Sequence, residues 1–295
     1  MHIATRHPLD LDGDAAELGR RIGRSVHRAL LAEVALTPKP GLVDRRNNGA
    51  HHDMTLTTFV ASARAIAPWF ALFFRRGLDA CRLPPGDNLP QLRRDGVACE
   101  SAMFAATGGI NTHKGAIFSF GLLCAAAGRL HGQGRRLGRA ALCGEAAAIC
   151  AGIVEGDLGG AVAVATAGER VYRRFGLPGA RGEAASAFAT VRRHALPAFD
   201  RAFAITGSRR WAAFAAFLEL LAVNPDTNLV ARGGLDGLAF VQRHARALTR
   251  QGGVAAADFI ARMEEFDDRL IALHLSPGGS ADLLAVTCFL ARLEA

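Results

Sequence analysis

Among 35 basic residues only two are lysines, Lys39 and Lys114, and each lies in a polar, helix-breaking stretch, Thr37-Pro-Lys-Pro-Gly41 and Asn111-Thr-His-Lys-Gly115. A compact ammonium in such a setting suits a phosphate oxygen, as a point charge rather than a planar fork. The first lysine leads a loop that carries Asp44, Asn47, Asn48, His51, His52 and Asp53. Asn, Asp and Gly are ordinary turn residues, but few other segments gather so many donors and acceptors, which favours a functional loop. The second lysine follows Asn111, Thr112 and His113 in the first turn of an expected helix, where free N–H groups and the helix dipole favour an anion. Asn111 or Thr112 is expected to cap that helix. His113 is either a satisfied polar residue or a general base or phosphate donor.

Carboxylates supply the second signal. At about 100° per residue, Glu33 falls on the apolar face of Ile22, Val26 and Leu30, and Glu100 falls between Val97, Ser101 and Phe104. Carboxylates are seldom buried unless paired or bound to a metal, so for Glu33 a ligand or metal role stands beside an internal salt bridge, and the second such placement at Glu100 favours a metal or substrate site. Asp226 could hold Mg²⁺, with Asn228 and Arg232 as further ligand contacts. Capping by Asn224, Pro225 at a first helical position and a stop at Gly233 give the plainer account of that stretch. Arg181, between glycines in an expected turn over 176–184, could fork onto phosphate with Glu183 orienting it. In Ser276-Pro-Gly-Gly-Ser-Ala-Asp282, Ser280 is expected to cap the last helix. Gly278 and Gly279 allow close approach, and Asp282 suits the helix dipole. As a second helix start, this stretch is what a polyphosphate would need.

The elements that must position these residues read as helices throughout. Half the residues are hydrophobic and β-branched residues never form alternating runs, which favours an all-α chain. Helices are expected near 15–36, 57–78, 91–106, 116–130, 139–154, 160–175 and 211–223, with a final one opening at Ser276. Residues 1–14 read as a loose arm and 15–295 as a single helical domain. The net charge of +8 suits an acidic partner, but the arginines are scattered in pairs without the interleaved aromatics that read single strands, so nucleic acid is not expected. The six cysteines contain no Cys-x-x-Cys pair and read as small core residues. The longest apolar runs, at 116–128 and 212–223, are too short to span a bilayer, and no signal segment is apparent, so a cytoplasmic protein without membrane partners is expected. The glycines of 131–138 follow no strand and there is no P-loop pattern, so a nucleotide here is bound by other means.

Taken in order, Glu33, Thr37-Pro-Lys-Pro-Gly-Leu-Val-Asp44, Gly49-Ala-His-His-Asp-Met54, Gly109-Ile-Asn-Thr-His-Lys-Gly115, Gly179-Ala-Arg-Gly-Glu-Ala184, Asp226-Thr-Asn228 with Arg232-Gly-Gly234, and the stretch from Ser276 to Ala285 resemble the motifs of triphosphoribosyl-dephospho-CoA synthases. The resemblance runs from about residue 25 to the end of the chain. It departs at Phe188-Ala-Thr-Val191, where the family more often has proline after the phenylalanine. It implies an all-α enzyme that moves the triphosphoribosyl part of ATP to the 2′-hydroxyl of 3′-dephospho-CoA and releases adenine. The product would be a prosthetic-group precursor, passed by a later transferase to the acyl carrier subunit of malonate decarboxylase or citrate lyase. The His-His-Asp-Met form and the free-standing length favour the malonate decarboxylase branch.

Such a reaction passes through an oxocarbenium-like C1′, as in glycoside chemistry. The triphosphate would be held by Lys39, Lys114, Arg181, Arg232 and the two helix starts. Asp44, His51, Asn111, Asn228, Ser276, Gly278, Gly279 and Ser280 would make further substrate contacts, and Mg²⁺ would sit on Glu33, Glu100 or Asp226. His113 or Asp53 would take the hydroxyl proton. Two other readings stay open: a Mg²⁺-dependent all-α hydrolase of a nucleotide or ADP-ribosyl bond, and a non-catalytic basic helical binding protein.

Overall fold

Apolar residues at helical spacing, in a chain rich in Ala, Leu and Arg, produce an all-α protein. The computed structural model describes residues 8–159 and 166–293, and among these it has thirteen α-helices and no strand. The first half contains α1 (Pro8–Ala35), α2 (Leu56–Asp79), α3 (Leu89–Thr107), α4 (Lys114–Gly132), α5 (Arg139–Ile149) and α6 (Ile153–Leu158). The second half contains α7 (Ala167–Phe175), α8 (Gly179–Ala185), α9 (Leu196–Thr206), α10 (Arg209–Val223), α11 (Thr227–Arg250), α12 (Phe259–Ala272) and α13 (Gly278–Leu290). Helix α1 already begins at Pro8, inside the stretch expected to be an arm; residues 1–7 of that arm and 160–165 of the expected seventh helix lie outside the described residues. The glycine-rich segment expected as a turn folds as α8, and α11 runs past Gly233 with a kink at Gly234 (φ 63°).

Helix α4 is the axis of the fold. Fourteen of its nineteen residues are buried, as a helix apolar on all sides must be. It packs against α1, α2, α3, α5 and α13, with Phe120 edge-on to Phe70 of α2 and to Phe289 of α13 at 5.8 and 5.7 Å. Small residues set the spacing of α2 and α4: a Cβ on Gly77 would overlap the backbone of Ala125, and one on Gly128 would overlap that of Phe74. Helix α2 is long and apolar enough to cross a bilayer by length and composition, which corrects the reading of the apolar runs. Here Ile66, Phe70, Phe73 and Phe74 are buried, and α2 packs against α1, α3 and α4.

A buried ion pair locks this half together. Arg129 of α4 is 1% exposed. Its Nε donates to Glu145 Oε1 of α5 at 2.6 Å, and its terminal nitrogens donate to the carbonyls of Ala80 and Leu83. The other carboxylate oxygen, Glu145 Oε2, accepts from Arg135 at 3.3 Å. Both charges are thus met on every side by protein, the condition under which a buried pair is tolerated.

Candidate functional site

The N-termini of α4 at Lys114, α11 at Thr227 and α13 at Gly278 open onto one cavity of about 590 Å³, which the capped start of α7, at Thr166–Gly168, also lines. Their dipoles all favour negative charge at the same place. The starts pack closely enough that side chains are excluded. A Cβ on Gly115 would overlap the Asp282 carboxylate, and one on Gly278 would come within 2.8 Å of Asn228 Nδ2.

The Lys39 loop forms one wall. Pro38 and Pro40 end α1, and the chain then doubles back because Gly41 and Gly49 adopt positive φ (72° and 56°) with their backbones in contact, where a Cβ on Gly49 would lie 2.5 Å from the Gly41 carbonyl carbon. Two aspartates hold the turn. Asp44 accepts from the backbone N–H groups of Lys39 (2.7 Å), Arg46 (2.6 Å) and Asn47 (3.2 Å). Asp267, fully buried on α12, accepts from Gly41 N, Asn47 Nδ2 and Arg46 at 2.7–2.8 Å. Asp44 is therefore a loop organiser and does not line the cavity. Lys39, 2% exposed, donates through Nζ to Glu33 Oε1, and Glu33 is 4% exposed. Burial raises the Glu33 pKa against the lowering effect of Lys39. Both residues line the cavity.

The apolar wall carries His113, buried between Phe59 (ring centroids 5.1 Å, edge-on) and Met103, whose sulfur accepts the His113 N–H at 3.2 Å. Thr112 Oγ1 donates to Ser62 Oγ at 2.7 Å, and Ser62 Oγ lies 2.7 Å from His113 Nδ1. Where Ser62, its oxygen accepting from Thr112, gives its own proton to Nδ1, the hydrogen of the neutral ring sits on Nε2. Nε2 is buried and has no partner. Burial, and then the Lys39 charge, pull the His113 pKa down to about 3. The imidazole is therefore neutral at physiological pH, and the residue lines the cavity.

The rim holds most of the remaining expected residues. His51 Nε2 pairs with Ser276 Oγ at 2.8 Å, Arg232 donates to His51 Nδ1 at 3.3 Å, and Asp53 lies 3.8 Å from the same nitrogen. Burial and Arg232 lower the His51 pKa to about 4. Arg232 also donates to the carbonyls of Ala50 and His274, tying the His51 loop to the turn before α13. Lys114 Nζ lies 2.9 Å from Glu100, and Asn111 Oδ1 accepts from the Lys114 N–H at 3.3 Å. Asn111 thus holds the first free N–H of α4, although the N-cap position itself is His113. Arg181 lines the cavity but pairs with Asp157 at 2.9 Å, not with Glu183, which accepts from Thr190.

Several placements differ from the sequence expectation. Asp226, not Asn224, caps α11, accepting from Asn228 N and Leu229 N; across the cleft it also accepts from Gly279 N, Ser280 N and Ser280 Oγ. Its lone pairs are taken by these donors. Ser280 lies inside α13 rather than capping it, and Asn224 Nδ2 donates to its Oγ. Neither Asp226 nor Ser280 lines the cavity, and neither does Glu100. On α3 the buried face is Leu92, Asp95, Cys99 and Met103, with Val97 64% exposed, so Glu100 sits at the edge of the packed face and not on an apolar stripe. The residue passed over as a dipole partner is Asp282. It faces the cavity against Gly115, and its pKa is raised well above the usual carboxylate range by burial first, then by Glu33 and Asp226. Ser62 and Asp267 were also unforeseen.

No three His, Cys, Asp or Glu side chains form a ready metal cluster among the described residues. Mg²⁺ bound to a polyphosphate needs only one or two protein carboxylates, the rest of its shell being phosphate and water. Glu33 and Asp282 fit that need: they face one cavity, and a divalent cation would relieve their mutual repulsion.

Helix starts, buried cations and a neutral histidine around one nucleotide-sized cavity define a helical enzyme built to hold a phosphorylated substrate. The chain belongs to the family described as ATP:dephospho-CoA triphosphoribosyl transferase, which residues 19–295 match. It is 52% identical over 294 residues to a probable 2-(5″-triphosphoribosyl)-3′-dephosphocoenzyme-A synthase of Albidiferax ferrireducens, covering 100% of this chain and 97% of that protein. It is 53% identical over 272 residues to the synthase of Klebsiella pneumoniae, covering 92% and 90% of the two chains. With the synthase of Pectobacterium atrosepticum it shares 51% identity over 269 residues, 91% and 88% of the two. No solved structure matches the chain. By its family the protein is a transferase of the triphosphoribosyl-dephospho-CoA synthase type.

Proposed function

We propose that the cavity transfers the triphosphoribosyl group of ATP to the 2′-hydroxyl of 3′-dephospho-CoA, with adenine as the leaving group. The observation that carries this reading is the convergence of three helix starts with both of the chain's lysines at one cavity, in a member of this family. The triphosphate lies across the α4, α11 and α13 starts, within reach of Lys114, Arg181, Arg232 and Asn228. Glu33 and Asp282 would hold Mg²⁺ together with the phosphates, where it would offset their charge and orient them.

The adenine lies against the Phe59 and His113 wall, where His113 Nε2–H meets a purine ring nitrogen. As the C1′–N9 bond breaks, its electron pair passes to the base, and the His113 hydrogen bond strengthens as that charge develops. The acceptor 2′-oxygen then bonds to C1′ and gives its proton to Asp53 at the mouth. Adenine takes up a proton from solvent, so the charges balance. Because the His113 ring offers an N–H and not a lone pair, Asp53 is the base in this scheme. The low-dielectric wall protects the oxocarbenium-like centre from water.

The product is a prosthetic-group precursor for an acyl carrier subunit, delivered through a separate transferase in the cytoplasm. Malonate decarboxylase is favoured over citrate lyase on the His51-His52-Asp53-Met54 form. Mass spectrometry of an incubation with ATP, Mg²⁺ and dephospho-CoA should show adenine and the ribosylated adduct in equal amounts. Adenine release from ATP without dephospho-CoA would instead make the protein a hydrolase.

A further inference from the structure

A second cavity, of about 630 Å³, lies behind the Lys39 loop. Its floor is apolar: Leu36, Phe199 and Ala213 are buried there, with Ile260 beside them. Its rim carries four arginines, Arg45, Arg209, Arg210 and Arg292, against a single carboxylate, Glu264. None of these five side chains is in an ion pair among the described residues. Arg209 lies over the ring of Phe203 at 5.2 Å, and Arg210 donates to the Thr37 carbonyl at 3.0 Å while leaning on Trp211 and Phe214. These contacts hold the two guanidiniums in place while leaving their charge uncompensated. An apolar floor under a rim of net positive charge suits a ligand with an anionic group and an uncharged, partly apolar arm.

The two cavities are neighbours through shared elements. Thr37 and Pro38 line the arginine-rimmed one and Lys39 the other. On α1, Ala32 and Ala35 face the former while Leu30 and Glu33 face the latter. On α13, Cys288 faces one, with Arg292 just beyond the helix end, and Asp282 and Ala285 face the other. Ala285 and Cys288 are less than one helical turn apart, roughly 5 Å along the axis. The Leu36–Lys39 segment, with these parts of α1 and α13, therefore makes the partition. A cavity of 590 Å³ accommodates one nucleotide-sized ligand, whereas the transfer proposed above brings together two, one of them bearing a long arm.

We infer that the arginine-rimmed cavity is the acceptor subsite, in which Arg45, Arg209, Arg210 and Arg292 hold the diphosphate of dephospho-CoA and the apolar floor takes its pantetheine arm. The adenosine then crosses the Leu36–Lys39 partition and brings its 2′-hydroxyl to the ATP-holding cavity. This division rests on the transfer reading. It gives each substrate its own set of cations: helix starts and lysines for the triphosphate, arginines for the acceptor.

The test is a kinetic split in the full-length protein. Arg209→Ala with Arg292→Ala should raise KM for dephospho-CoA at least tenfold while moving KM for ATP less than twofold. Arg45→Ala alone should give a smaller rise of the same kind, which guards against a folding defect in the double variant. An unchanged KM for dephospho-CoA, or equal rises for both substrates, overturns the subsite while leaving the transfer reading intact. Failure of the wild-type protein to form the adduct at all removes the transfer reading, and the subsite with it.

Discussion

Two buried ion pairs of a basic side chain with a glutamate differ in their surroundings, and the difference separates structure from function. Arg129–Glu145 is closed: every nitrogen of the guanidinium and both carboxylate oxygens have protein partners. Glu33–Lys39 is open. Lys39 has one carboxylate oxygen for its ammonium, and both residues line a cavity with an unpartnered imidazole nitrogen and the Asp282 carboxylate. A buried pair is weak evidence of stability in itself, so the difference lies in what completes each shell. Protein completes it for Arg129; for Lys39 a ligand must.

Replacing each cation tests that contrast most severely. Lys39→Met should lower kcat/KM for ATP on the order of 10³-fold, the loss expected when a preorganised charge contact is removed, with Mg²⁺-dependent adenine release as the readout. Arg129→Met should do the reverse: it should destabilise the protein by about 3–5 kcal/mol in denaturant unfolding, since Glu145 is left buried, and leave the specific activity of the folded fraction within a few-fold. If Lys39→Met lost only stability, the open pair would be another structural pair. His113→Ala should reduce kcat about 10²-fold with little change in KM for ATP. A wild-type pH profile should show no limb at the usual histidine value, because a pKa of about 3 keeps this ring neutral through the working range.

The smallest effect is on stability against pH, and its sign differs between the groups. His113 and His51 have folded values near 3 and 4, below the ordinary histidine value. The unfolded chain takes up protons first as pH falls, so their contribution is complete above about pH 6.5 and declines from there down toward pH 4. Asp282 acts oppositely. Its raised value makes its contribution complete below the ordinary carboxylate range, and the contribution is lost as pH rises through the folded value. Denaturant midpoints measured from pH 4 to 8 should therefore lose part of their acid-side slope in His113→Ala and part of their alkaline-side loss in Asp282→Asn. Unchanged slopes in both would mean that neither group titrates apart from its unfolded value.

Much of this site is legible in the sequence because its parts are local. The rarity of Lys39 and Lys114, the Pro and Gly punctuation around them and the helix starts are short-range signals, and the residues they mark do meet at one cavity. What escaped is long-range. Asp267 anchors the Lys39 loop from 226 residues away at Gly41, and Ser62 meets His113 across 51; no periodicity encodes either contact. Asp226 and Ser280 were legible as polar residues at helix starts but not as partners of each other, because the bond between them joins two helices. Asp282 read as an ordinary dipole partner because its neighbour Glu33 lies at the other end of the chain. The fold class followed from composition, and the α8 helix was hidden by glycines that usually mark turns.

The central claim is that the open pair and the three helix starts hold the triphosphate. A crystal structure with ATP and Mg²⁺ tests it directly. The account predicts phosphate oxygens at the starts of α4, α11 and α13, beside Lys39 and Lys114, with the purine beside Phe59 and His113. A triphosphate seated instead among Arg45, Arg209, Arg210 and Arg292, with the Lys39 cavity holding no part of the nucleotide, would contradict it.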